Sequence, residues 1–221
     1  TWPADFLTYV NAPIGKGTPV PGPLKPLIGV PTTAGTGSET TGVVIFDLEE
    51  MHAKTGIAHR FVRPSLGIVD PENTATMPWV AAASTGFDVL VHAVESYTNL
   101  PFDRREAPAD PSLRPAYQGS NPISDVWATR AIEMVSRNII RAIEDPSDTE
   151  ARSQMILAST FAGIGFGNAG LHLPHGMSYA VSGMVRGYVP EGYPPGHPMI
   201  PHGMSVVLNA LELLPFIAAL L

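Results

Sequence analysis

Near residue 77 the hydrophobic pattern of this chain changes period, and that change limits what it can fold into. Before it, short apolar runs are punctuated by Gly, Pro and Thr. Leu27–Val30 ends in Pro-Thr-Thr, Gly42–Phe46 and Lys54–His59 flank a polar bend as in a hairpin, and Leu66–Val69 closes on Asp70-Pro71. Beyond it the period is helical. Pro78 suits the first turn of a helix reaching about Tyr97, and Ile132, Val135, Ile139 and Ile143 recur at helical spacing behind Asn121-Pro122. Ser147-Asp-Thr-Glu150 has the spacing of a capping box and opens a third helix, which runs into Gly163, Gly165, Gly167 and Gly170. Residues 1–26 read as an irregular, Pro- and Gly-rich lead-in, and 100–120 and 184–201 as loop-like insertions. The sequence thus predicts a β-rich part up to residue 76 and an all-helical part over 77–221.

Composition narrows the chemistry. An apolar fraction of 44% with 15% charged residues gives 221 residues enough material for a real core. Thirteen basic against twenty acidic side chains, a net charge of −7 and no basic cluster argue against nucleic-acid binding. The chain has no cysteine, which excludes disulfides, iron–sulfur clusters and thiolate-held zinc. Any metal must rest on His, Asp and Glu, and there are seven histidines. The apolar run Val206–Leu221, broken by Asn209, Glu212 and Pro215, is too short and interrupted to span a bilayer. It is expected to be a buried helix, and no membrane partner is expected.

Asp88 and His92 are four residues apart, so on a helix they share one face. An Asp–His pair at this spacing also occurs as a plain surface pair. Here Phe87, Val89, Leu90, Val91, Ala93 and Val94 surround it, which points to burial, and a buried carboxylate needs a partner. Two further histidines sit in Pro174-His175-Gly-Met177 and Pro201-His202-Gly-Met204. A single His-Gly is usually a structural turn. One carboxylate with three neutral imidazoles suits Fe2+ or Zn2+ with a coordination position to spare. Separately, Pro31-Thr-Thr-Ala-Gly-Thr-Gly-Ser-Glu39 directly follows an apolar run and offers hydroxyls and closely spaced N–H groups, as a phosphate or ribose needs. As a bare pattern it is more often an ordinary polar turn after a strand.

The set Asp88, His92, His175 and His202, in this order and with these neighbours, resembles the ligand set of the iron-containing alcohol dehydrogenases, over about Pro26 to Val207. The segments Ala12–Gly17, Arg114–Asp125 and Phe161–Gly170 are similar to the hydroxyacid–oxoacid transhydrogenase branch of that family. The resemblance implies an incomplete α/β nucleotide-binding portion followed by an all-α metal-binding domain, the dehydroquinate-synthase-like architecture. Residues 1–76 then form the C-terminal part of a nicotinamide-binding domain, and 77–221 the helical metal and substrate domain. It implies Fe2+, or Zn2+ as second choice, and NAD(P) contacted by Thr32, Thr33, Thr36, Gly37 and Ser38, with Lys54 nearby.

The reaction it implies moves hydride between a hydroxyacid such as 4-hydroxybutyrate and a 2-oxoacid such as 2-oxoglutarate. The rivals are an ordinary NAD(P)-dependent alcohol dehydrogenase, a metallohydrolase on the same ligands, and an inactive fragment. Two departures from the family pattern matter. Tyr179 stands where many members carry a second His four residues after the third ligand, and His197 is a candidate to replace it in a proton relay. Arg114 is the candidate cation for a substrate carboxylate. The family's glycine-rich diphosphate loop does not occur in these residues, so the chain is expected to be an internal fragment with half a cofactor site. Expected partners are small hydroxyacids and oxoacids, with a homo-oligomer left open. The expected location is the cytoplasm in a bacterium and the mitochondrion in a eukaryote.

Overall fold

The computed structural model describes residues 5–111 and 114–219. β1 (Ile28–Gly29) pairs in parallel with β4 (Leu66–Gly67), and β2 (Val43–Leu48) pairs antiparallel with β3 (Ala53–Ala58), Val43 opposite Ala58 and Leu48 opposite Ala53. The helices are α1 (Trp79–Thr98), α2 (Pro122–Glu144), α3 (Thr149–Ala169), α4 (Leu173–Met184) and α5 (His202–Ala218). Every described strand precedes residue 77 and every α-helix follows it. The expectation of a β-rich first part is nevertheless too strong. Single-turn 3-10 helices at Phe6–Thr8, Glu49–Met51, Arg60–Val62 and Pro71–Thr74, with loops between, make up most of it. Prolines lack the N–H a ladder needs, which keeps the strands short.

Local chemistry sets the helix boundaries. Asn121 caps α2 by accepting from the N–H groups of Ile123 and Ser124, ahead of Pro122 at the first helical position. α3 is capped by Asp148, which accepts from Ala151 N at 2.9 Å, and not by Ser147 as the capping-box spacing suggests. Ser147 is already committed, donating its N–H and hydroxyl to Asp145 Oδ1, while Glu150 pairs with Arg141.

α1, α2 and α3 pack together around Val89, Ala93, Ala128, Ala131, Met134, Val135, Met155, Ile156, Ala158 and Ala162, all buried. Alanines at this seam let the helix backbones approach closely. On its other side α1 receives α5 through Val91, Val206 and Ala210, and α4 packs against α5. α1 is therefore shared by both halves of the bundle. The expectation of a buried α5 holds for one face, with Val206, Ala210 and Ile217 inside, while Leu208, Leu211 and Phe216 are exposed. A largely apolar run fixes helix content but not which neighbours cover it. No single described helix is long and apolar enough to cross a membrane.

The Thr-rich turn after β1 is clamped onto α3. Gly37 N donates to Ser159 Oγ at 3.1 Å, Thr40 Oγ1 donates to Gly37 O at 2.7 Å, and Thr160 Oγ1 donates to Glu39 Oε1 at 2.7 Å. Gly37 has φ +56°, and a Cβ there would stand 2.8 Å from Gly163 Cα. Gly163→Ala would drive its new methyl into Thr40 Oγ1 and toward Gly37 Cα. This overpacking should cost about 1–3 kcal/mol, read as a lower urea midpoint at unchanged slope.

Candidate metal centre

Three helices deliver the predicted ligands to one place. α1 presents Asp88 and His92 on one face, the first turn of α4 presents His175, and the first residue of α5 is His202. His175 Nε2 lies 3.3 Å and His202 Nε2 3.9 Å from Asp88 Oδ1, and His92 Nδ1 lies 3.8 Å from Asp88 Oδ2. One ligand atom each from Asp88, His92 and His175 falls within 4.8 Å of the others. The rings pack tightly: His92 stacks on Phe166 at 4.2 Å and on His175 at 4.4 Å, and His202 meets His175 edge-on at 5.5 Å. Glycine makes the approach of α5 feasible, since a Cβ at Gly203 would run into the Ser84 carbonyl of α1.

The polar atoms of this cluster are not satisfied by the protein. Asp88 Oδ1, His92 Nδ1, His175 Nε2 and His202 Nδ1 are buried without a hydrogen-bond partner, the 3.3 Å approach of His175 to Asp88 lying off a hydrogen-bonding direction. Four such orphans in one cluster are far outside the normal run of protein interiors. A cation among them would satisfy lone pairs that nothing else reaches, so the residues fit a divalent metal. The electrostatics agree. Burial pushes the Asp88 carboxyl up, but His92, then His175 and His202, hold it at about 2. Burial drops His92 to about 4 against the pull of Asp88, and also lowers His202. Burial works against charge on His175 too, but Asp88 and Glu95 on either side outweigh it and lift that imidazole to about 9. Asp88 ionised beside neutral His92 and His202 is the form in which those groups ligate, whereas His175, held protonated by its two carboxylates, would give up its Nε2 proton to a cation.

The cluster opens on a cavity of roughly 300 Å3 that is also lined by Thr36, Ser38, Lys54, Tyr117, Phe166 and Tyr179. Thr36 and Ser38 stand with their hydroxyls 2.8 Å apart and also line an adjoining cleft with Thr32, Thr33 and Glu39. Gly37 is different: it is buried and its N–H is spent on Ser159, so its part is packing. Lys54 lies on β3 and pairs with Asp47 at 3.5 Å. Tyr179 stacks nearly parallel to the His202 ring at 6.1 Å. His197 lines a second cavity that also reaches His202 and Lys54. Arg114 is exposed and is not among the residues lining either cavity. The insertion reaches the site through Tyr117 instead. Gln118 N and Gly119 N donate to the carbonyls of Asn168 and Ala169, and the Tyr117 side chain occupies the space a side chain at Gly170 would take.

Glu95 was missed by sequence reasoning. It is fully buried on α1 and accepts from the backbone N–H groups of His172 and His175 and from His175 Nδ1 at 2.6 Å. The available signal was its position, three residues after His92 and seven after Asp88, on the same helical face.

Two family models match the chain: iron-containing alcohol dehydrogenase over residues 3–71, and the C-terminal model of the Fe-containing alcohol dehydrogenase family over residues 116–187, together more than half of it. The chain belongs to the iron-containing alcohol dehydrogenase family. Its relatives within that family include the mitochondrial hydroxyacid-oxoacid transhydrogenase of Mus musculus, 59% identical over 216 residues, or 97% of this chain and 46% of the relative. A probable mitochondrial hydroxyacid-oxoacid transhydrogenase of Dictyostelium discoideum is 55% identical over 97% of this chain and 40% of its own length. Among solved structures, the iron containing alcohol dehydrogenase from Thermococcus thioreducens superposes with a TM-score of 0.76 at 30% identity, covering 98% of this chain and 48% of that one. The sulfoacetaldehyde reductase from Bifidobacterium kashiwanohense, in complex with NAD+, gives 0.71 at 32% identity over 92% and 46%. The chain spans about half the length of the relatives it matches. The fold is that of the family, mixed α/β and rich in helix.

Asp88→Asn preserves shape and removes the charge at the centre of the cluster. Affinity for Co2+ or Zn2+, measured by chelator competition, should fall by more than about 100-fold, the upper end of what loss of an outer partner costs, while the helical circular dichroism persists.

Proposed function

We propose that this chain is the metal-holding part of an oxidoreductase that transfers hydride between a hydroxyacid and a 2-oxoacid through bound NAD. One observation carries the reading: the Asp88, His92, His175 and His202 cluster and the Thr36–Ser38 turn line the same cavity. A metallohydrolase has no use for a nucleotide-type turn beside its metal. Sequence identity near 59% to transhydrogenases, against about 30% for alcohol dehydrogenases of known structure, favours the transhydrogenase reading over free-NAD alcohol oxidation.

Asp88, His92, His175 and His202 hold a divalent cation, Fe2+ first and Zn2+ second. That cation supplies Lewis acidity toward a substrate oxygen. Around it the chain's own residues bind and orient. Thr36 and Ser38 offer hydroxyls, with Thr32 and Thr33 beyond them, to the nicotinamide side. Burial lifts the phenol of Tyr117 to about 12, and burial, then the charges of Asp88 and Glu95, also raise Tyr179, so both remain protonated donors facing the cavity. Lys54 is the cation among the lining residues and takes the part first assigned to Arg114, meeting a substrate carboxylate. Phe166 and Leu171 give the cavity an apolar wall. Residues 1–76, Lys54 excepted, serve the nucleotide, and 77–221 the metal and substrate. In a eukaryotic source the protein works in the mitochondrion, as the names of its relatives support.

Two measurements on the full-length enzyme test this. Incubation with 4-hydroxybutyrate should give turnover that depends on added 2-oxoglutarate; robust turnover with free NAD alone, and none with the oxoacid, would move the protein to the alcohol dehydrogenase branch. Lys54→Met should cut kcat/KM for the hydroxyacid by about 10- to 150-fold more than for an uncharged alcohol, since a charge-assisted contact is worth about 1.5–3 kcal/mol.

A further inference from the structure

α4 begins without a cap of its own. His172 sits at its N-cap position and gives no side-chain hydrogen bond there, and Pro174 has no N–H to offer. The missing acceptor comes from another helix. Glu95 of α1 receives the N–H of His172 on Oε2 and the N–H of His175, the third helical residue, on Oε1 at 3.0 Å. A carboxylate at a helix N-terminus also faces the positive end of the helix dipole. The same Oε1 takes His175 Nδ1 at 2.6 Å. Glu95 is fully buried, and both its oxygens accept backbone N–H groups. A carboxylate engaged as an acceptor in this way accepts from the imidazole as well, which puts a proton on His175 Nδ1. The other nitrogen, Nε2, is the one directed at Asp88 Oδ1.

We infer that Glu95 is a positioning residue for the metal centre: one carboxylate both caps α4 and holds the His175 imidazole with Nε2 turned toward Asp88. Because the backbone bonds to His172 and His175 do not involve a metal, the orientation is set by the fold before any cation arrives. Glu95→Gln keeps the volume and an acceptor for His175, but it loses the charge and turns an amide N–H toward the N–H of His172. The inference rests on the metal reading of the cluster, so Co2+ binding to the unaltered chain is measured first. Absence of binding there overturns that reading and this inference together. Given binding, Glu95→Gln should weaken Co2+ by about 10- to 100-fold and shift the visible bands of the bound ion. A purely structural role would lower the melting temperature yet leave affinity and spectrum of the folded protein unchanged, and that result overturns the inference alone. Should Glu95→Gln fail to fold, 15N-histidine NMR of the unaltered chain with Zn2+ decides. A proton on His175 Nδ1 with the metal-shifted resonance on Nε2 supports the assignment, and the reverse pattern overturns it.

Discussion

Asp88 is a charge placed where a charge is expensive. Taking a carboxylate out of water into a helical bundle costs several kcal/mol unless it is paired and hydrogen-bonded. Here Asp88 is 3% exposed and one of its oxygens has no hydrogen bond at all. The imidazoles of His92, His175 and His202 keep it ionised; His92 shares its helix, and the other two come from positions the fold must bring to α1. The arrangement of the second half of the chain follows from that need: α4 and α5 begin at their histidines, and both begin beside Asp88.

The bundle tolerates such a centre because its neighbours are small. The seam between α1, α2 and α3 is rich in alanine, and Gly203 lets α5 rest on the Ser84 carbonyl. The Thr-rich turn reaches α3 through Gly37 and Gly163 in the same manner. The Asp–His cluster and the Thr-rich turn are thereby brought to one cavity.

Much of this was legible in the sequence. The change of period near residue 77 gave the order of strands and helices, and apolar neighbours around an i, i+4 pair gave Asp88 and His92. Two Pro-His-Gly-Met turns gave His175 and His202. What was not legible depended on contacts between distant segments. Whether Arg114 or Tyr117 turns inward is decided by backbone bonds from Gln118 and Gly119 to the end of α3, which no local pattern encodes. Glu95 shares a helical face with Asp88 and His92, but what it holds is set only when α4 is placed against it. Ser147 and Asp148 are equally good caps on paper, and Asp145 chose between them by claiming the serine. The exposed face of α5 was hidden by a run in which apolar residues fall on every side.

That the four histidine and aspartate positions come from three helices has a kinetic side. α1, α2 and α3 follow one another along the chain and meet through connections of moderate length, whereas His202 lies half the chain beyond Asp88. Closing a long loop costs entropy before its contacts reward it, and contacts between distant segments slow folding. The three-helix core can therefore assemble while the cluster still lacks its last imidazole. The docking of α5 is then the event that completes the surroundings of Asp88.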